Sequence, residues 1–178
     1  MTGLDHVGLT VQDLERSIEF YCTVLDCAVQ ERAVISGAEV DTVTGVAGAV
    51  IHTADLKLPA GGLLELLQYT GSPGAQLVQR RFDAGHSHIA FRVADADAAR
   101  SRALRAGALD CSPPVTLHEP GSSWDGVRVC YARDPDGRTI EFVQRPDAAA
   151  RPDATVQPDA AVRPDAAVRP DTAVRRDR

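Results

Sequence analysis

The stretch HSHIAFRV (86–93), followed by ADADAARSRALRAGA (94–108), decides the fold because the chain has already spelled it once. It reads as a strand carrying His88, with Ile89, Phe91 and Val93 alternating along it. An Ala-rich helix follows, started by Asp95 and closed at Gly107. The opening segment LDHVGLTV (4–11) has the same grammar: Leu4, His6, Gly8 and Thr10 lie on one face and Val7, Leu9 and Val11 on the other. Asp13 then starts QDLERSIEFYCTVLD (12–26), whose apolar stripe is Leu14, Ile18, Tyr21, Cys22 and Leu25. His6 and His88, Leu9 and Phe91, and Asp13 and Asp95 fall in step at an offset of 82.

The far ends of the two halves match as well. LLELLQ (63–68) aligns with TIEFVQ (139–144), which sets Glu65 against Glu141 at an offset of 76. Weaker strand candidates lie at about 27–35 and 47–55 in the first half, and at 108–117 and 126–133 in the second. GSPG (71–74) and DPDG (134–137) read as turns. The expected fold is therefore α+β: two βαβββ modules, about 4–70 and 86–144, which a pseudo-twofold would join into one curved sheet.

Composition bounds the remaining possibilities. Hydrophobic residues make up 44% of the 178-residue chain and charged residues 25%, enough for a packed core. A net charge of −6 gives no basic footprint for nucleic acid. No apolar run approaches the ~18 residues of a membrane span, and no signal segment follows Met1, so the expectation is a cytoplasmic protein with no membrane partner. Four cysteines without a C-x-x-C pair read as reduced, mostly buried thiols. From Arg145 the sequence becomes a hexad with Pro at 146, 152, 158, 164 and 170. Proline at every sixth position forbids a continuous helix, and Ala and Val alone bury little surface. Residues 145–178 are thus expected to be an extended or disordered tail, and function belongs to 1–144.

The duplication has a chemical consequence. Each half offers one His on its first strand and one Glu on its last. A lone strand histidine is more often structural, and a lone Glu in LLELL reads as an edge charge. Two such pairs at equivalent places in a repeat, among apolar neighbours, point instead to a metal. His6, Glu65, His88 and Glu141 are the candidate ligands of one divalent ion. Neutral imidazole and carboxylate suit Ni, Co, Zn, Fe or Mn. Four protein ligands on a six-coordinate ion leave two positions for substrate oxygens.

The segments LDHVGLTVQDLERSIEFYCTVLD, LLELLQYTGSPG, GHSHIAFRVADADAA and YARDPDGRTIEFVQ resemble the vicinal oxygen chelate superfamily. That superfamily holds glyoxalase I, methylmalonyl-CoA epimerase, extradiol dioxygenases, and fosfomycin and bleomycin resistance proteins. The likeness brackets residues 4–144 and leaves the tail out. It implies paired βαβββ modules related by a pseudo-twofold and forming a curved metal-binding cup, often in a homodimer. His6, His88 and Glu141 match the three recurrent ligands, and Glu65 matches the fourth ligand of glyoxalase I. The usual Leu-Gly after the first helix is Leu25-Asp26 here, and no basic set for glutathione is identifiable. The resemblance implies a metal-dependent lyase or isomerase of the glyoxalase or epimerase kind, acting on a small oxygenated metabolite. Glu65 and Glu141 would move protons while the metal steadies the enolate or oxyanion. The alternatives are a ring-cleaving dioxygenase, since two His and one Glu also fit iron(II), and a drug-binding resistance protein.

Other residues draw weaker expectations. His86 is a loop residue with a possible place beside the site, and His52 and His118 are structural. Trp124, in SSWDG (122–126), either contacts a ligand or pins its loop. Tyr69, Gln68, Arg92 and Tyr131 line the cup or its back, depending on a one-residue shift of face. Segment 31–49 carries no motif of the superfamily and is expected to shape substrate specificity.

Overall fold

The computed structural model describes residues 3–71, 74–75 and 80–146. The first module contains β1 (Val7–Thr10), α1 (Leu14–Leu25), β2 (Ala28–Ser36), α2 (Ala38–Thr44), β3 (Val50–Lys57) and β4 (Leu63–Tyr69). The second contains β5 (His88–Arg92), α3 (Ala96–Arg105), β6 (Asp110–Cys111), β7 (Val115–Thr116), β8 (Arg128–Arg133) and β9 (Thr139–Gln144). Each module builds its own sheet. The orders are β1-β4-β3-β2 and β5-β9-β8-β6, with β7 also paired to β8.

The duplication holds to the residue. In the parallel ladder of β1 and β4, Gly8 stands opposite Glu65; in that of β5 and β9, Ala90 stands opposite Glu141. These are the offsets of 82 and 76 seen in the sequence. The ladder ends obey the same rule, with Val11 N–H donating to Leu67 C=O and Val93 N–H to Val143 C=O. Both helices open on an aspartate cap: Asp13 accepts from Arg16 N–H and Asp95 from Ala98 N–H, each at 3.0 Å. Gln68 accepts from Leu14 N–H at 3.1 Å, and its counterpart Gln144 accepts from Ala96 N–H at 3.0 Å. Both glutamines therefore serve helix starts, on the face opposite the glutamates.

One core joins the modules. Leu9, Leu64 and Leu66 from the first sheet, and Phe91, Ile140 and Phe142 from the second, meet Ile18, Tyr21 and Val24 of α1 and Ala99 and Ala103 of α3. Alanines on α3 leave room for this close approach. Because Glu65 alternates with Leu64 and Leu66, and Glu141 with Ile140 and Phe142, each glutamate points away from the shared core. A buried hydrogen bond from the Tyr21 hydroxyl to Asp134, 2.7 Å long, ties α1 to the turn between β8 and β9.

Several details depart from the sequence expectation. β1 begins at Val7, so His6 sits at its entrance and Leu4 is exposed. The segment 108–117 forms two two-residue pieces, because Pro113 and Pro114 remove ladder donors between them. Residues 38–44 form a short helix the strand pattern did not indicate. The two sheets are also separate: no ladder joins β1 to β5 among the described residues, so a single curved sheet is not built within one chain. Cys27 and Cys130 are buried and Cys22 and Cys111 half-buried, all as free thiols. No helix of the described residues is long and apolar enough to cross a membrane. The hexad tail lies outside the described residues from Asp147 onward.

Candidate metal centre

Strand entry and strand register place the four candidate ligands in two pairs. In the first module His6 Nε2 lies 3.3 Å from Glu65 Oε2; in the second, His88 Nε2 lies 3.2 Å from Glu141 Oε2. The same two atoms face each other at nearly the same separation, as the duplication demands. Two adjacent ligands at ~2.0–2.2 Å from one ion stand about 3 Å apart, so each pair has the spacing of neighbouring donors. The donor set contains only imidazole nitrogen and carboxylate oxygen, which fits a first-row divalent ion.

Chemistry around the pairs is not symmetric. His6 Nδ1 contacts Asp5 Oδ1 at 2.7 Å, which fixes the ring and leaves Nε2 directed at Glu65. That contact raises the His6 pKa above its usual value, with the charges of Glu65 and Asp55 adding to it and desolvation opposing. His88 instead meets the Tyr131 ring edge-on, with centroids 5.5 Å apart. Glu141 is 6% exposed, far more enclosed than either histidine. A carboxylate so enclosed requires a proton, a cation or hydrogen bonds. His88 supplies one partner.

The two pairs stand on separate sheets. Among the described residues no group of three or more His, Cys, Asp or Glu is gathered to hold a metal. A single chain thus presents two separate His–Glu pairs, each on a sheet face turned from the shared core.

Other candidates resolve by face. Tyr131 stands directly opposite Glu141 and shares its face. Tyr69 and Arg92 lie four residues from Glu65 and His88, on the same strand faces. Gln68 lies on the back and caps α1. His86 contacts the Thr139 hydroxyl at 3.1 Å, beside the second pair, a contact the loop assignment did not suggest. His118 is exposed, and His52 lines a cavity of about 310 Å³ with Leu14, Glu15 and Arg32, away from both pairs. Trp124 packs under the Arg145 guanidinium, 4.9 Å from its ring centroid, and so pins its loop to the end of β9. Asp55, directly opposite Glu65, was not singled out from the sequence. It lies within β3 (Val50–Lys57), beyond reach of any motif in the sequence, and only the register with β4 brings it to Glu65.

Residues 3–142 match the Glyoxalase/Bleomycin resistance protein/Dioxygenase superfamily, and the chain belongs to it. It is 31% identical over 153 residues to a 2-epi-5-epi-valiolone epimerase from Actinomyces sp., covering 83% of this chain and 81% of that protein. Among solved structures it resembles a glyoxalase family protein from Bacillus cereus (TM-score 0.70, 24% identity, 81% of this chain and 94% of that one). It also resembles the fosfomycin resistance protein FosX from Listeria monocytogenes, complexed with Mn(II) and sulfate (TM-score 0.56, 18% identity, 82% and 94%). At these identities the structural likenesses establish the fold alone.

Proposed function

We propose that the chain is a divalent-metal-dependent epimerase acting on a small polyhydroxylated ketone of the 2-epi-5-epi-valiolone kind. The observation that carries the reading is the repeated His–Glu pair, 3.3 Å in one module and 3.2 Å in the other. The epimerase relative, matched over most of both chains, supports this class above the dioxygenase and drug-binding alternatives.

His6 and Glu65 of one copy and His88 and Glu141 of a second copy would hold the ion, because each chain turns its two pairs away from its own core. This makes a homodimer the working unit, with two equivalent sites. The ion, when bound, supplies positive charge to the substrate oxygens beside the carbon that loses its proton. Glu65 and Glu141 approach from different modules, so one carboxylate would take a proton from one face of that carbon and the other, already protonated from solvent, would deliver its own proton to the opposite face. His6 and His88 would present Nε2 to the ion, with Asp5 fixing the His6 ring through Nδ1.

The test is turnover of 2-epi-5-epi-valiolone by metal-loaded protein in D₂O. Epimerisation with deuterium entering at the inverted carbon is the expected result. Product formation that requires O₂ and carries its oxygen would replace this reading with the dioxygenase.

A further inference from the structure

The duplication that pairs the ligands also pairs two residues beside them, and those two differ in chemistry. Reading across the first sheet, one row runs Gly8, Glu65, Asp55, Glu31. The equivalent row of the second sheet runs Ala90, Glu141, Tyr131. Asp55 and Tyr131 are 76 positions apart, the same offset as the two glutamates. Directly opposed residues share a sheet face, so each lies next to a glutamate on the side that carries the His–Glu pair.

Both positions are built to meet a ligand. Asp55 and Tyr131 are half-buried, neither lost in the core nor free in solvent. Neither side chain is hydrogen-bonded to another described residue, so both retain their polar groups for an incoming molecule. The Tyr131 ring is steadied on one side by the His88 edge at 5.5 Å and approached on another by the Arg81 guanidinium, 5.8 Å from its centroid.

We propose that Asp55 and Tyr131 are the substrate-orienting pair of the site: Asp55 accepts from a hydroxyl on one flank of the substrate, and Tyr131 donates to an oxygen on the other. The proposal rests on the epimerase reading and specifies its substrate further. An ionised carboxylate only accepts, whereas a phenol donates as well. A substrate spanning the two modules therefore meets an acceptor at one end and a donor at the other, and binds in one orientation. The row Glu65, Asp55, Glu31 disfavours any anionic group on the first-module side, so that flank of the substrate is neutral and hydroxylated. A carbonyl or other oxygen acceptor belongs toward Tyr131.

The experiment uses the metal-loaded dimer with 2-epi-5-epi-valiolone and with analogues lacking one hydroxyl each. Asp55→Asn and Tyr131→Phe keep size and shape and leave the ligand set untouched, so metal content stays at the wild-type level. Each variant is expected to lose roughly ten- to a hundredfold in kcat/KM on the full substrate. On one particular deoxy analogue the loss disappears, and that analogue differs between the two variants. Unchanged kinetics, or an equal loss on every analogue, overturns the orienting role while wild-type turnover leaves the epimerase reading standing. A wild-type protein that epimerises none of these ketones overturns both.

Discussion

Tyr21 reaches out of the first helix of one module to bond Asp134 in the last turn of the other, both side chains 2% exposed or less. The carboxylate also accepts from the Arg138 backbone N–H at 2.7 Å and the Asp136 N–H at 3.0 Å, so it organises the DPDG turn that feeds β9. Burial pushes the Asp134 pKa up, and the Tyr21 hydrogen bond works against that rise. The pair thus couples the module interface to the strand bearing Glu141.

Tyr21→Phe should lower stability by about 1–3 kcal/mol, because it leaves a buried carboxylate one donor short. Chemical denaturation measures it. A loss below a few tenths of a kcal/mol would mean the modules are held by apolar packing alone.

Asp26 ends α1 in the left-handed region, φ 55°, the one described non-glycine residue with positive φ. That conformation costs an aspartate about 1 kcal/mol or more, and the extra unfolded-state freedom of glycine returns only part of it. Asp26→Gly should therefore raise the melting temperature slightly. A lowered one would show that the Asp26 side chain contributes more than its backbone costs.

The Asp5 contact raises the His6 pKa above its ordinary value. A raised folded value means that protonated His6 favours the folded, metal-free protein. This contribution is complete below about pH 6.5 and fades as pH rises through the folded value. Since His6 is largely exposed, the stability effect is small, and the ring's NMR titration is the better readout. Asp5→Asn should move that midpoint down. An unmoved midpoint would assign the shift to Glu65 and Asp55 instead.

The fold was legible because the duplication is written in alternation and caps that local physics enforces. Asp13 and Asp95 start helices, Gly137 closes the turn after Asp134, and Glu65 and Glu141 interrupt apolar strands at the same step. The pairing of His6 with Glu65 and of His88 with Glu141 was legible for the same reason. Module arrangement was not, because it depends on which sheet edges meet, and strand sequences such as VGLT and HIAFR do not encode that choice. Asp55 and Tyr131 stayed ambiguous because facing follows from register, and one residue of shift reverses it. The helix 38–44 was hidden in a segment with no buried residue to set a period.

Sharing of the site between copies has its own signature. His6→Ala and His88→Ala chains, each inactive alone, should regain activity when mixed and refolded together, since one mixed site then keeps all four ligands. No recovery would place the four ligands within a single chain.

Metal content of protein purified without chelator bears on the central claim most directly. The account predicts one tightly held divalent ion per chain in the wild type, lost in His88→Ala and in Glu141→Gln while far-UV circular dichroism is unchanged. A wild type that binds no divalent ion when it is supplied, or a His88→Ala variant that stays fully loaded, would contradict it.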